Sequence, residues 1–275
     1  MDEYKENDCI GAHCTMVDER IIICLKWGSL YSVDYVNVLY SACQKAMKGD
    51  FRFVCLTDTD DDLSAGIERL DIPEIGLSSE EWYTKGVWPK LALYVKNLHS
   101  LKGRCLFVDL DMVVLGGLDE MFDYGSGFVC TDMGNGWRPG GRLGATKEPG
   151  TCIFSFDIGK ESQILEAFHK DKAGAKRNFI NEQDFAGAYA NGVDFWPEGW
   201  ILSFKRHLRQ PIGKDLFFSP KAPPANAKII AFHGDPRPYN LIQRNTGFWD
   251  NLPHLGNGQV KWMHDYWVSN GGRVF

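Results

Sequence analysis

Asp109 and Asp111 stand two residues apart inside the apolar run Leu106-Phe107-Val108-Asp109-Leu110-Asp111-Met112-Val113-Val114-Leu115. On an extended chain, residues i and i+2 face the same side. The spacing therefore predicts a pair of carboxylates at the end of a buried strand. Carboxylates among apolar neighbours are costly unless something compensates them. A divalent cation does so, and an oxygen pair suits Mg²⁺ or Mn²⁺. A strand-end turn with two solvated aspartates is the simpler alternative. Further along, Glu182-Gln183-Asp184 opens a segment with helical apolar spacing, where acids also suit the positive end of the helix dipole. His233 closes the run Ile229-Ile230-Ala231-Phe232 and is followed by Arg237, a cation that can grip phosphate bidentately.

The elements that must position these groups follow from periodicity. Arg20 to Leu25 has a buried-strand pattern and ends at Lys26-Trp27-Gly28-Ser29. A helix is predicted from Ser32 or Asp34, with Val36, Leu39, Tyr40, Cys43 and Met47 on one face and Gly49 as its stop. Phe51 to Leu56 is the next strand, which completes a β-α-β unit with a parallel pair. Residues 57 to 81 read as acidic loop with a short strand. A helix is predicted from Trp88-Pro89-Lys90-Leu91, its buried stripe formed by Leu91, Val95 and Leu98. Strands are predicted at Cys105 to Val108, Phe128 to Cys130, Cys152 to Phe156 and Ile229 to Phe232, and helices at Ser162 to Lys170 and Glu182 to Tyr189. The glycine-dense stretch from Asp132 to Gly150 reads as a loop. Polar residues at the C-terminal ends of strands mark an open α/β sheet with a ligand crevice. A single parallel sheet would bring Asp109, Asp111 and His233 to one edge.

Composition narrows the class. The 275 residues suffice for one large α/β domain that needs no disulfides. A net charge of −6 without a long basic run argues against nucleic acid as a partner. Cys24, Cys55 and Cys105 sit inside apolar runs and read as buried thiols. Cys9, His13 and Cys14 could suggest a metal, but an irregular reduced tail is the simpler reading. The polar, acidic start at Met1 to Asp8 does not read as a signal peptide, and no apolar run approaches membrane length. A cytoplasmic location is therefore expected. The segment from Lys261 to Phe275 is aromatic but lacks the polybasic face of a strong membrane anchor, which leaves peripheral membrane contact open.

Five segments stand in a telling order: Trp27 to Tyr31, Trp88-Pro89-Lys90-Leu91, Asp109-Leu110-Asp111, Glu182-Gln183-Asp184 and Phe232-His233-Gly234. In that order, over residues 20 to 240, the chain resembles a family-8-type glycosyltransferase of GT-A fold. The resemblance implies a Rossmann-like mixed sheet flanked by helices in one α/β domain over 20–275, behind a tail at 1–19. Its nucleotide-binding half would cover about 20–130 and its acceptor half about 131–275. The implied partners are a UDP-sugar donor, a glycan or other hydroxyl acceptor, and Mn²⁺ or Mg²⁺. Asp109, Asp111 and His233 would form the metal site, with Asp109 also near the donor. Lys90 would touch the nucleotide sugar, and Tyr31 with the backbone at Trp27 and Gly28 would hold the uracil. Gln183 would lie near the anomeric carbon, flanked by Glu182 at the sugar hydroxyls and Asp184. Retention of anomeric configuration is the implied outcome. Three positions depart from the family pattern: Glu182 replaces its Asp, Gly150-Thr151-Cys152 replaces its common Asn-Ser-Gly, and Arg237 replaces a Lys six residues after the histidine. They leave the donor sugar open.

Two other chemistries fit parts of the pattern. Haloacid-dehalogenase-type phosphatases carry Asp-x-Asp at a strand end, the first Asp being a nucleophile. Their pair lies near the N-terminus and is followed by Gly or Thr, unlike Met112-Val113-Val114 here. A nucleotidyltransferase would want a basic, glycine-rich loop after the first strand, which Lys26-Trp27-Gly28-Ser29 supplies poorly. A non-catalytic carbohydrate-binding protein would not need all of these groups. Trp137, Trp196 and Trp200 could stack an acceptor sugar, but core packing is the simpler reading.

Overall fold

Ile21 to Cys24 have no exposed surface, because the strand Arg20–Lys26 (β1) is covered on both faces. Its neighbours are parallel: Arg52–Thr57 (β2) on one side and Arg104–Val108 (β4) on the other. Ile67–Asp71 (β3) extends the sheet beyond β2 as the short strand expected in the acidic stretch. The helix Val33–Ala46 (α1) links β1 to β2 as the periodicity requires, with Ser32 at its N-cap and Val36, Leu39 and Cys43 buried. Pro149–Asp157 (β7) runs antiparallel to β4, Val129–Asp132 (β6) antiparallel to β7, and Asp194–Phe195 (β8) closes the far edge. The order β3-β2-β1-β4-β7-β6-β8 makes a mixed seven-stranded sheet.

Alternate residues of β1 feed two cores, as a period of two demands. Ile22 and Cys24 pack with α1, and Ile21, Ile23 and Leu25 pack with Trp88, Leu91 and Phe168. The second core is roofed by Ser162–Lys170 (α3), followed by Lys172–Asn178 (α4) and Glu182–Tyr189 (α5). The first is bounded by a second sheet of Met112–Val114 (β5), Ile201–Ser203 (β9) and Ile229–Ala231 (β10), with β10 in the middle. Leu118–Asp123 (α2), Pro238–Ile242 (α6) and Lys261–Ser269 (α7) complete the helices. The computed structural model describes residues 19–59, 62–134, 136–137, 146–244, 247–249 and 255–274. Cys9, His13 and Cys14 lie outside the described residues, as does much of the stretch between β6 and β7. Among the described residues, no helix is long and apolar enough to cross a membrane.

Three expectations need correction. First, Trp88–Tyr94 is a 3₁₀ helix that stops before Val95. All seven of its residues are buried, so it has no solvent face and is not the amphipathic α-helix that Leu91, Val95 and Leu98 suggested. Second, Asp109 to Asp111 is a turn, not extended strand: β4 ends at Val108, and Met112 N–H donates to the Asp109 carbonyl at 3.2 Å. Third, His233 does not follow a strand of the main sheet. β10 pairs antiparallel with β5 and parallel with β9, so the histidine comes to the cavity that the aspartates line from the small sheet. The turn is the cause, since it carries the chain out of the large sheet and into β5.

Candidate active site

At the turn, Asp109 N–H donates to the Cys152 carbonyl at 2.9 Å, which anchors the end of β4 to β7. Leu110 is buried in the core, and both aspartates line a cavity of about 770 Å³. Lys90 Nζ meets Asp109 Oδ2 at 2.8 Å and the Thr151 carbonyl at 3.1 Å. Burial pulls the Lys90 ammonium down, but Asp109 and Glu182 together hold it above its ordinary value. Burial lifts Asp109 above the usual carboxylate range despite that partner. Asp111 is pushed up to about 7, by burial first and by the Asp109 charge second. Tyr31 opposes this by donating its hydroxyl to Asp111 Oδ2 at 2.8 Å. The Tyr31 phenol is itself raised by burial and by Asp111, so it stays a donor. Arg237 lies over the Tyr31 ring, 5.3 Å from its centroid.

Glu182 sits at the first turn of α5, under the cavity and almost fully buried. It accepts from the Thr151 hydroxyl at 2.9 Å and the Tyr94 hydroxyl at 3.3 Å. Burial raises it to about 7, with Lys90 acting in the opposite direction. Its backbone N–H donates to the Gly86 carbonyl at 2.8 Å, which ties α5 to the start of the Lys90 helix. The next residue, Val87, has φ of 57°, a left-handed conformation that is strained for a β-branched side chain. Such strain costs roughly 1–3 kcal/mol and gathers where surrounding structure enforces it. Here it lies at the N-cap of the element that delivers Lys90.

His233 Nε2 is 2.7 Å from Ser203 Oγ. Burial, then the charges of Lys205 and Arg206 and the nearby His207, lower it to about 4, so the imidazole is neutral near pH 7. Its ring lies 5.7 Å from that of Trp137, which lines the cavity and is largely buried. Trp196 is core, and Trp200 is covered by Lys228 at 4.3 Å.

The cavity thus gathers Trp27, Tyr31, Lys90, Asp109, Asp111, Glu182, Gln183, His233 and Arg237. Two expected residues are not on its lining. Gly28 donates its N–H to the Asp58 carboxylate at 3.1 Å, has φ of 60°, and would press a Cβ to 3.0 Å from the Tyr83 ring. It shapes the wall and does not contribute a group to it. Asp184 is in the first turn of α5, where its N–H donates to the capping Asn181 side chain at 3.0 Å. Sequence reasoning missed the wall formed by Trp82 to Val87 and the floor at Thr151 and Cys152. The adjacent aromatics Trp82 and Tyr83, just beyond the stretch read as acidic loop, were the available signal.

Among the described residues, no three His, Cys, Asp or Glu side chains lie close enough together to form a ready-made metal site. Asp109 is closed on Lys90 and His233 on Ser203. The aspartate pair nevertheless fits a cation, since each carboxylate is held above its ordinary range by burial and Asp111 further by its neighbour's charge. A divalent ion would relieve both effects.

No family profile and no curated protein matches the sequence. The architecture does have solved counterparts: it is the GT-A fold of glycosyltransferases. The galactosyltransferase LgtC, a family 8 enzyme, solved with donor and acceptor sugar analogues, aligns at a TM-score of 0.56 and 11% identity, over 92% of this chain and 97% of that one. The glycosyltransferase GlyE of Streptococcus pneumoniae aligns at 0.55 and 10% identity, over 92% of this chain and 63% of that one. The bifunctional glycosyltransferase WbbM aligns at 0.53 and 13% identity, over 93% and 50%. At these identities the likeness establishes the fold.

Proposed function

We propose that the protein transfers a sugar from a UDP-sugar to a hydroxyl acceptor, in a Mn²⁺- or Mg²⁺-dependent reaction with retention of configuration. The carrying observation is that one cavity of a GT-A fold gathers the Asp109–Asp111 pair, Lys90, Arg237, His233 and Gln183. Asp111 and Asp109 would hold the cation, joined by His233 once its ring leaves Ser203. When bound, that ion neutralises the diphosphate leaving group. Arg237, held over Tyr31, supplies a forked donor for phosphate oxygens. Trp27 and Tyr31, both on the cavity lining, would flank the base. Glu182 keeps lone pairs beyond those used by Thr151 and Tyr94, and these can accept from sugar hydroxyls. Gln183 is a poor nucleophile, which favours front-face attack, with the acceptor proton passing to the departing phosphate. Lys90 engages only Oδ2 of Asp109, so the phosphatase reading is set aside on the fold, which is GT-A. The buried thiols Cys24, Cys43, Cys55 and Cys105 suit a reducing compartment and support a cytoplasmic setting.

Calorimetry with UDP, GDP and ADP at equal Mn²⁺ is expected to show preference for UDP. Equal affinity for all three removes the donor assignment, and a lack of binding by any of them removes the transferase reading. Stereochemistry supplies an independent check. NMR of the first-formed product from a UDP-α-sugar is expected to show an α linkage. A β linkage would assign a carboxylate base and an inverting route to this cavity.

A further inference from the structure

The segment after β9 presents four large apolar side chains to solvent within seven residues. Ile212 is 61% exposed, Leu216 36%, Phe217 82% and Phe218 60%. Exposure on this scale at one loop tip usually marks an interaction surface. Its base is firmly held. Arg209 Nη2 meets Asp215 Oδ2 at 2.9 Å, with both side chains almost completely buried. Lys221 N–H donates to the Leu208 carbonyl at 2.8 Å, and Gln210 Nε2 to the Ser219 carbonyl at 3.0 Å. Phe217 and Phe218 N–H both donate to the Lys214 carbonyl. A buried ion pair and these hydrogen bonds across the base of the loop therefore fix the backbone that presents the phenylalanines.

We propose that this loop docks the protein on an anionic lipid bilayer. Charge favours that occupant. Between Phe204 and Lys228 the chain has six basic residues and one acidic residue, although its net charge is −6; two of the six are buried in ion pairs, Arg209 with Asp215 and Lys228 with Glu120. The one acid, Asp215, is turned inwards onto Arg209, while Lys214 and Lys221 are exposed beside the apolar tip. Aromatic side chains flanked by lysines match the boundary between acyl chains and anionic headgroups. A second copy fits poorly, because a two-fold contact through this loop would bring like charges together. The loop also grows from the short π-helix Phe204–Leu208, in which Arg206 Nε donates to the Trp137 carbonyl at the cavity wall. This inference stands apart from the sugar-transfer reading and uses none of the cavity's chemistry.

Co-sedimentation of the full chain with vesicles tests it. The protein is expected to pellet with mixed phosphatidylcholine–phosphatidylglycerol vesicles and much less with phosphatidylcholine alone. Phe217→Ser/Phe218→Ser should lower the partition coefficient by about tenfold or more, from the apolar area no longer inserted. Lys214→Glu/Lys221→Glu should also lower binding to the anionic vesicles by about tenfold, and added salt should mimic it. Both variants should keep the parent melting temperature, because they alter exposed side chains. Absence of binding to the anionic vesicles overturns the proposal, as does binding unaffected by either double substitution. Light scattering that shows a dimer dispersed by Phe217→Ser/Phe218→Ser would assign the loop to self-association instead.

Discussion

Asp111→Asn is expected to abolish most transferase activity while leaving the fold as stable as before, or slightly more so. The two halves of this expectation have one origin. In the folded protein Asp111 is raised to about 7, so near neutral pH its charge is unfavourable to the fold in the absence of a cation. The amide removes the repulsion from Asp109 and retains a group for the Tyr31 hydroxyl at nearly the same place. Function loses what stability gains. UDP and Mn²⁺ should bind with mutual enhancement in the parent, because the diphosphate oxygens add ligands to the ion held by the carboxylates. That coupling should be roughly 1–3 kcal/mol and should largely vanish in the variant. Calorimetric titration of UDP with and without Mn²⁺, on both proteins, measures it. Undiminished coupling in Asp111→Asn would remove this residue from the metal site. His233→Ala makes a complementary comparison: loss of a neutral imidazole should weaken Mn²⁺ more than Mg²⁺.

The chemistry of the site was more legible in the sequence than its geometry. β1, α1 and β2 were readable because a strand buried on both faces and an amphipathic helix leave different periodicities. Asp109 and Asp111 were readable as a costly pair within an apolar run, but their turn was hidden. Val108 and Met112 are both buried, one at the end of the large sheet and one at the start of the small sheet, so hydropathy passes through the reversal without a break. For the same reason nothing local revealed that Ile229 to Ala231 joins β5 and not the main sheet. Lys90 shows another limit. Its sequence context, Trp88-Pro89-Lys90-Leu91, suggested a first-turn helix residue or a donor contact. That it is buried between Asp109 and Glu182 depends on residues 19 and 92 positions away. The loop at 211–221 is not legible in the sequence, because exposed apolar residues have no periodic signature; only the fold shows that Phe217 and Phe218 are exposed.

Lys90→Met should make stability strongly pH-dependent in a defined direction. The substitution preserves much of the side chain's length and apolar stem but deletes the ammonium that interacts with both Asp109 and Glu182. Removing one partner from a buried ionic cluster costs roughly 3–5 kcal/mol, since the remaining charge is left uncompensated. The loss should not be uniform in pH. Glu182 already has a folded value of about 7, above the roughly 4.3 of an unfolded glutamate. A carboxyl raised on folding gives stability that is complete below its unfolded value and is lost as pH rises through its folded value. Deleting Lys90 removes the influence that lowers both Glu182 and Asp109, so their folded values must rise further. Below about pH 4 both carboxyls tend to be neutral in the folded and the unfolded chain alike, and there the variant should come nearest to the parent. Above pH 7 both must ionise or stay protonated at a penalty, and the gap should reach its full size. Thermal melts of the two proteins across this range, in chelator to exclude bound cations, read the effect directly. A gap of constant size at every pH would mean that Lys90 contributes packing against Phe107 and not charge compensation, and the electrostatic account of the cavity floor would fail.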